Sequence, residues 1–132
     1  MYFCLFKKTL WKSCSRHLCI SFRADTEGVS FLNKPDKVYL NNPNLLYALA
    51  SGNANIGTLR ETFFFNQINH VEEVASADKG DFKINKKTII EVGGKGKTNE
   101  QISYLPNAYL AVDDIEVSFG SKIPLWLFGF LY

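Results

Sequence analysis

Thr88-Ile-Ile-Glu-Val92 is β-branched and apolar enough to form a central strand, yet it carries a carboxylate in its middle. A buried strand seldom holds a charge without a reason. The preceding run, Asp81 to Ile84, follows the Asp78-Lys-Gly80 turn and reads as a second strand. Asn85-Lys86-Lys87 makes the tight turn between the two. A hairpin of this kind brings Asp81, ten residues before Glu91, within reach of it. Two neighbouring carboxylates repel each other and together favour a hard divalent cation such as Mg²⁺, which prefers oxygen ligands and keeps several waters. A cation held in this way can act on a phosphodiester.

The punctuation around the hairpin predicts the remaining elements. Pro35-Asp36 precedes a short strand, Val38 to Leu40, which ends at Asn41-Asn42-Pro43. Asn44 is expected to cap a short helix running to Ala50, and Thr58 a longer one from Leu59 to about Asn69. Leu59, Phe63, Phe64 and Ile68 recur at helical spacing over a patch too broad for a surface helix. His70 to Val74 is expected as a strand before the hairpin. After Gly93-Gly94 come a helix over Thr98 to Leu105, a strongly apolar strand over Asn107 to Val112, and a packed C-terminal segment from Ile115 to Tyr132. That segment is too short to span a bilayer. The order from residue 58 is thus helix, three strands, helix, strand, an αβββαβ core of the α/β class (α+β-like) with a mixed central sheet.

The chain has 132 residues and 46% hydrophobic content, which suits one globular domain. Its formal charge of +2 is unevenly placed. Residues 1–22 hold Lys7, Lys8, Lys12 and Arg16 with no acid, so the rest of the chain shows no bulk positive field for nucleic acid. Cys4, Cys14 and Cys19 lie in the same stretch; an odd thiol count without a clear signal peptide favours a reducing, cytoplasmic setting. Cys14-x-x-His17-x-Cys19 lacks a second ligand pair at zinc-like spacing and reads as unpaired thiols. The lysines interrupt any apolar core that a secretory signal or a membrane span would need.

Five blocks, in order, carry a resemblance. They are Lys34-Pro-Asp-Lys-Val-Tyr-Leu-Asn-Asn-Pro-Asn-Leu-Leu-Tyr-Ala-Leu49, Arg60-Glu-Thr-Phe-Phe-Phe-Asn-Gln67, Gly80-Asp-Phe82, Glu91-Val-Gly-Gly-Lys95 and Tyr109-Leu-Ala-Val-Asp-Asp-Ile-Glu-Val117. Together they resemble the C-terminal, restriction-endonuclease-like module of bacterial AAA-type ATPases, within the PD-(D/E)xK superfamily. The resemblance covers about residues 23–132, with 23–43 as the remnant of a winged-helix-like segment and 44–132 as the nuclease-like domain. Residues 1–22 stand outside it as an atypical N-terminal segment. It implies a fragment separated from its ATP-binding portion. It also implies Mg²⁺ ligands at Asp81 and Glu91, joined by Glu61 from the first helix. The superfamily lysine, two residues after the second acid, falls on Gly93. Lys95, two residues further, returns to the face of Glu91 if the strand continues.

Other readings of the same residues are blander. Arg60 and Glu61 form an ordinary solvated helix face. Gly93-Gly-Lys-Gly-Lys-Thr98 misses the first glycine of a phosphate loop, because Glu91 stands there, so this chain is expected to hold no ATP site. Lys95 and Lys97 suit phosphate-backbone contacts from a glycine-rich loop. Asp113, Asp114 and Glu116 read as turn chemistry in preference to a second metal cluster. The expected role is nucleic-acid or partner engagement with degenerate catalysis, since the lysine slot holds glycine. An active Mg²⁺-dependent DNA nuclease using Asp81, Glu91 and Lys95 is one alternative. A structural or oligomerisation module, whose apolar tail from Pro124 to Tyr132 docks on the ATPase portion or on another protein, is the second. No membrane association is expected.

Overall fold

The computed structural model describes residues 18–21 and 37–131. Cys4, Cys14, His17 and most of the basic N-terminal segment lie outside the described residues, as does 22–36. Among the described residues the strands are β1 (Leu18–Ser21), β2 (Lys37–Leu40), β3 (Val74–Ser76), β4 (Phe82–Ile84), β5 (Thr88–Gly93), β6 (Ala108–Val112) and β7 (Lys122–Pro124). The helices are α1 (Pro43–Leu49) and α2 (Ile56–Asn69), and a 3₁₀ helix runs from Leu125 to Phe130. β1 and β2 form an antiparallel pair. The other five strands form one mixed sheet in the order β3-β4-β5-β6-β7, antiparallel through β5 and parallel from β5 to β7. The chain is therefore of the α/β class with a mixed sheet, as its punctuation predicts.

α2 covers one face of this sheet because its aromatic run has nowhere else to go. Phe64 and Phe65 are buried against Phe82 of β4, with ring centroids 5.1 and 5.9 Å apart. Tyr39 of β2 stacks on Phe65 at 4.8 Å. So β2, in the segment read as a remnant of a preceding unit, shares the main core. Ile90 and Val92 of β5 complete this layer. Ile102, Leu110 and Val112 form a smaller cluster with Ile89 and Leu105.

Several boundaries differ from the sequence expectation. Asn55, not Thr58, caps α2, its Oδ1 accepting from the N–H groups of Gly57 and Thr58 at 2.9 and 3.2 Å. Asn42 caps α1 in place of Asn44, with Pro43 in the first turn. The strand expected at His70 begins only at Val74, because α2 closes through His70 and the N–H groups of Val71 and Glu72 return to Ile68. The helix expected over Thr98 to Leu105 is instead a series of turns with three-residue bonds, Ile102 to Asn99 and Leu105 to Ile102. Pro106 disfavours helical backbone at Leu105. The αβββαβ order thus lacks its second helix, and β6 joins β5 by an irregular crossover. The tail adds an unexpected edge strand, β7, and turns back on α2, where Phe128 meets Phe64 edge-on at 4.7 Å. No helix among the described residues is long and apolar enough to cross a membrane.

Candidate functional site

The hairpin turn places Asn85 and Lys86 in left-handed backbone, the conformation that tight hairpins require. At the opposite end of the hairpin, Gly80 adopts φ +81° just before Asp81. An added Cβ there would lie 2.9 Å from Ile89 Cγ2, so both space and backbone favour glycine. Asp81 consequently stands at the mouth of the strand pair, one residue before β4. Its Oδ2 accepts the Val92 N–H at 2.9 Å, taking the place of a backbone partner.

Glu91 lies in β5 between Ile90 and Val92. Those two face α2, so strand alternation turns Glu91 and Gly93 toward the other layer. Glu91 is only 2% exposed. Its Oε1 receives the Lys97 ammonium at 2.7 Å, whereas its Oε2 is buried without a hydrogen-bond partner. Lys97 reaches this position by crossing Gly93. A Cβ on Gly93 would sit 2.6 Å from Lys97 Cγ and 2.7 Å from Lys97 Cβ, so the absent side chain is the room the lysine stem occupies. The missing side chain at Gly93 thus admits a lysine from the following loop.

Glu61 does not form a solvated pair with Arg60. Its Oε2 accepts from Lys37 Nζ and from Tyr39 Oη, each at 3.0 Å. Lys37 also reaches Asp81 Oδ1 at 3.3 Å. Arg60 turns the other way, its Nε 2.8 Å from Asp113 Oδ2. Asp113 further accepts the Asp114 N–H at 3.0 Å, and Asp114 is left-handed. Those two acids therefore serve a turn and an ion pair. The pair borders an apolar cleft of about 420 Å³ between α1, the start of α2 and Trp126.

Electrostatics tie the acids together. The Lys97 pKa is raised above 10.5, chiefly by its hydrogen bond to Glu91, with the charges of Glu91, Asp81 and Glu61 adding and partial burial opposing. For Lys37 burial is the largest influence and lowers the pKa. The bond to Glu61 and the charges of Glu61 and Asp81 outweigh it, and the net shift is upward. Burial beside Glu61 pushes the Tyr39 hydroxyl up, so it stays a protonated donor. Lys37 thus bridges Glu61 and Asp81, Lys97 pairs with Glu91, and the charges of all three acids reach Lys97. Among the described residues no three His, Cys, Asp or Glu side chains are drawn together as metal ligands are. The donors nevertheless suit a hard divalent cation, being carboxylate oxygens of which one is buried and unpaired.

Of the sequence candidates, Glu61 and Asp81 share Lys37, whereas Glu91 is paired with Lys97. Lys95 is exposed in the turn after β5. The strand ends at Gly93, and Lys95 therefore does not return to the face of Glu91 as a continued strand would bring it. Sequence reasoning missed Lys37 and Tyr39, whose partners lie 22 to 44 residues away. The glycine two residues after Glu91 was the available signal for Lys97. No protein-family model, curated protein or solved structure matches this chain.

Proposed function

We propose that residues 37–131 form a nuclease-like domain that engages a nucleic-acid backbone through a divalent cation on Asp81 and Glu91, with Glu61 beside them, and cleaves it with Lys97 as the working lysine. The supporting observation is the Lys97–Glu91 contact of 2.7 Å across Gly93, which supplies the ammonium that the strand itself lacks. Three carboxylates against two ammonium groups leave the cluster formally negative, so it repels a phosphate unless a cation joins. Mg²⁺ in this position would polarise a phosphoryl oxygen and lower the pKa of a bound water. The chain's own contribution is positional. The Val92 N–H fixes the Asp81 carboxylate, Tyr39 fixes Glu61, and Lys97 presents a proton donor to charge developing on the phosphate.

A second reading, engagement without cleavage, is favoured by Lys37, which bridges Glu61 and Asp81 where a cation would stand. Under either reading the domain serves as the C-terminal module of an AAA-type ATPase. ATP would bind elsewhere, since Glu91 stands where a phosphate loop needs its first glycine.

Supercoiled plasmid incubated with Mg²⁺ or Mn²⁺ tests the proposal. Nicking is expected, absent in Asp81→Ala and reduced about 100-fold in Lys97→Ala, the usual loss for one stabilising donor. Metal-dependent binding without nicking would select the second reading. Neither binding nor nicking across metals would remove both and leave a structural module.

A further inference from the structure

We propose that Lys37 is a displaceable internal cation that couples the two ligands of this site: a phosphodiester takes up its ammonium and thereby frees Glu61 and Asp81 for the divalent cation. This inference rests on the metal-and-phosphate reading above and adds its regulation.

The two lysines of the cluster are held differently. Lys97 is folded across Gly93, its stem filling the space a side chain would take, and ends on a carboxylate that is almost fully buried. Lys37 opens β2, and its side chain is about as exposed as that of Lys97, 39% against 37%. Its carboxylate partners, however, are only partly buried, at 24% and 19% exposed against 2% for Glu91. It spans two carboxylates at 3.0 and 3.3 Å from a flexible four-carbon stem. It can swing into solvent, or onto a phosphate, without disturbing the sheet.

The carboxylates it leaves behind do not collapse. Tyr39 holds Glu61 Oε2 at 3.0 Å, and the Val92 N–H holds Asp81 Oδ2 at 2.9 Å. Both acids are therefore oriented by groups that stay in place, and departure of Lys37 uncovers Asp81 Oδ1 and one side of Glu61. An ammonium and a divalent cation compete for these oxygens. A phosphate competes with the same oxygens for the ammonium. Each ligand thus removes the obstacle to the other, and linkage requires the coupling to be equal in both directions. With Lys37 on phosphate and a divalent cation admitted, the three carboxylates are balanced by the metal and Lys97.

The experiment measures Mn²⁺ binding to the full chain by the electron paramagnetic resonance of free Mn²⁺, with and without a short phosphorothioate duplex that resists cleavage. Mn²⁺ bound by the duplex alone is subtracted. For the native chain the duplex is expected to tighten Mn²⁺ binding on the order of tenfold, within the ordinary range of coupling between sites. Lys37→Met is expected to bind Mn²⁺ about that much more tightly without duplex, and to show no further gain when duplex is added. Lys37→Arg, which keeps the charge and the fold, is expected to retain the coupling. Equal Mn²⁺ affinity for the native chain and a folded Lys37→Met would overturn the inference while leaving the metal site standing. Absence of Mn²⁺ binding in both, with and without duplex, would overturn the metal reading together with it.

Discussion

Gly93→Ala isolates the feature on which the site depends. Gly93 is not in left-handed backbone, so alanine brings no conformational penalty of its own, and its whole effect must come from contact. The new methyl would lie 2.6, 2.7 and 3.0 Å from Cγ, Cβ and Cδ of Lys97. These are the root of the side chain, so a change at its flexible end cannot relieve the clash. The loop carrying Lys97 must shift, and its ammonium leaves Glu91. Stranding one partner of a fully buried pair costs about 3–5 kcal/mol. The Lys97 side chain is 37% exposed, and exposed pairs contribute little, which lowers the expected loss to about 2–3 kcal/mol. Urea denaturation of Gly93→Ala, Lys97→Gly and the double variant measures it. Each single substitution should cost about 2–3 kcal/mol. In the Lys97→Gly background, where Cβ, Cγ and Cδ are gone, the alanine should cost less than about 0.5 kcal/mol. The interaction energy of the cycle should then be on the order of 2 kcal/mol. Costs that simply add, within about 0.5 kcal/mol, would refute the packing of Lys97 over Gly93.

Three further outcomes follow from the same coordinates. Lys37 and Lys97 have folded pKa values above 10.5, so the stability their ion pairs contribute is fully present below that pH and lost as pH rises beyond it; thermal unfolding from pH 9 to 12 should show this decline, and it should be shallower in Lys37→Met. The raised Tyr39 hydroxyl acts in the same direction, beginning near its ordinary value of 10.0. Asn55→Ala removes the side chain that accepts two N–H groups at the start of α2 and should cost about 1 kcal/mol in urea, with Asn55→Gly costing less. Phe64→Ala, at a fully buried ring packed on both Phe82 and Phe128, should cost about 3–5 kcal/mol; a loss under about 1 kcal/mol would contradict the placement of α2.

What could be read from the chain was set by how far apart the interacting groups lie. The hairpin from Asp81 to Val92, the length of α2 and the apolar strand before Asp113 are governed by periodicity and turn residues within about ten positions, and each stands near its expected place. The errors fall where neighbouring signals compete. Asn42, Asn44, Asn55 and Thr58 all suit a cap, and the backbone used the earlier residue each time. Thr98 to Leu105 has helical spacing but runs into Pro106, and burial of Ile102 and Leu105 beneath the sheet is served by turns.

The site shows the same division more sharply. An acid inside a β-branched run is visible locally, because a strand so apolar has no cheap place for it. Its counter-charge is not visible, because Lys97 arrives through a loop whose path depends on Gly93 having no side chain. Lys37 and Tyr39 are further removed still, on a strand more than 20 residues before Glu61. Reading Gly93 as the loss of a strand lysine treats the sequence as a row of independent positions. In three dimensions the same glycine is a vacancy, and a vacancy beside a buried carboxylate recruits the nearest flexible cation. A lysine four positions downstream fits that demand better than Lys95, whose backbone has already turned away at the end of β5.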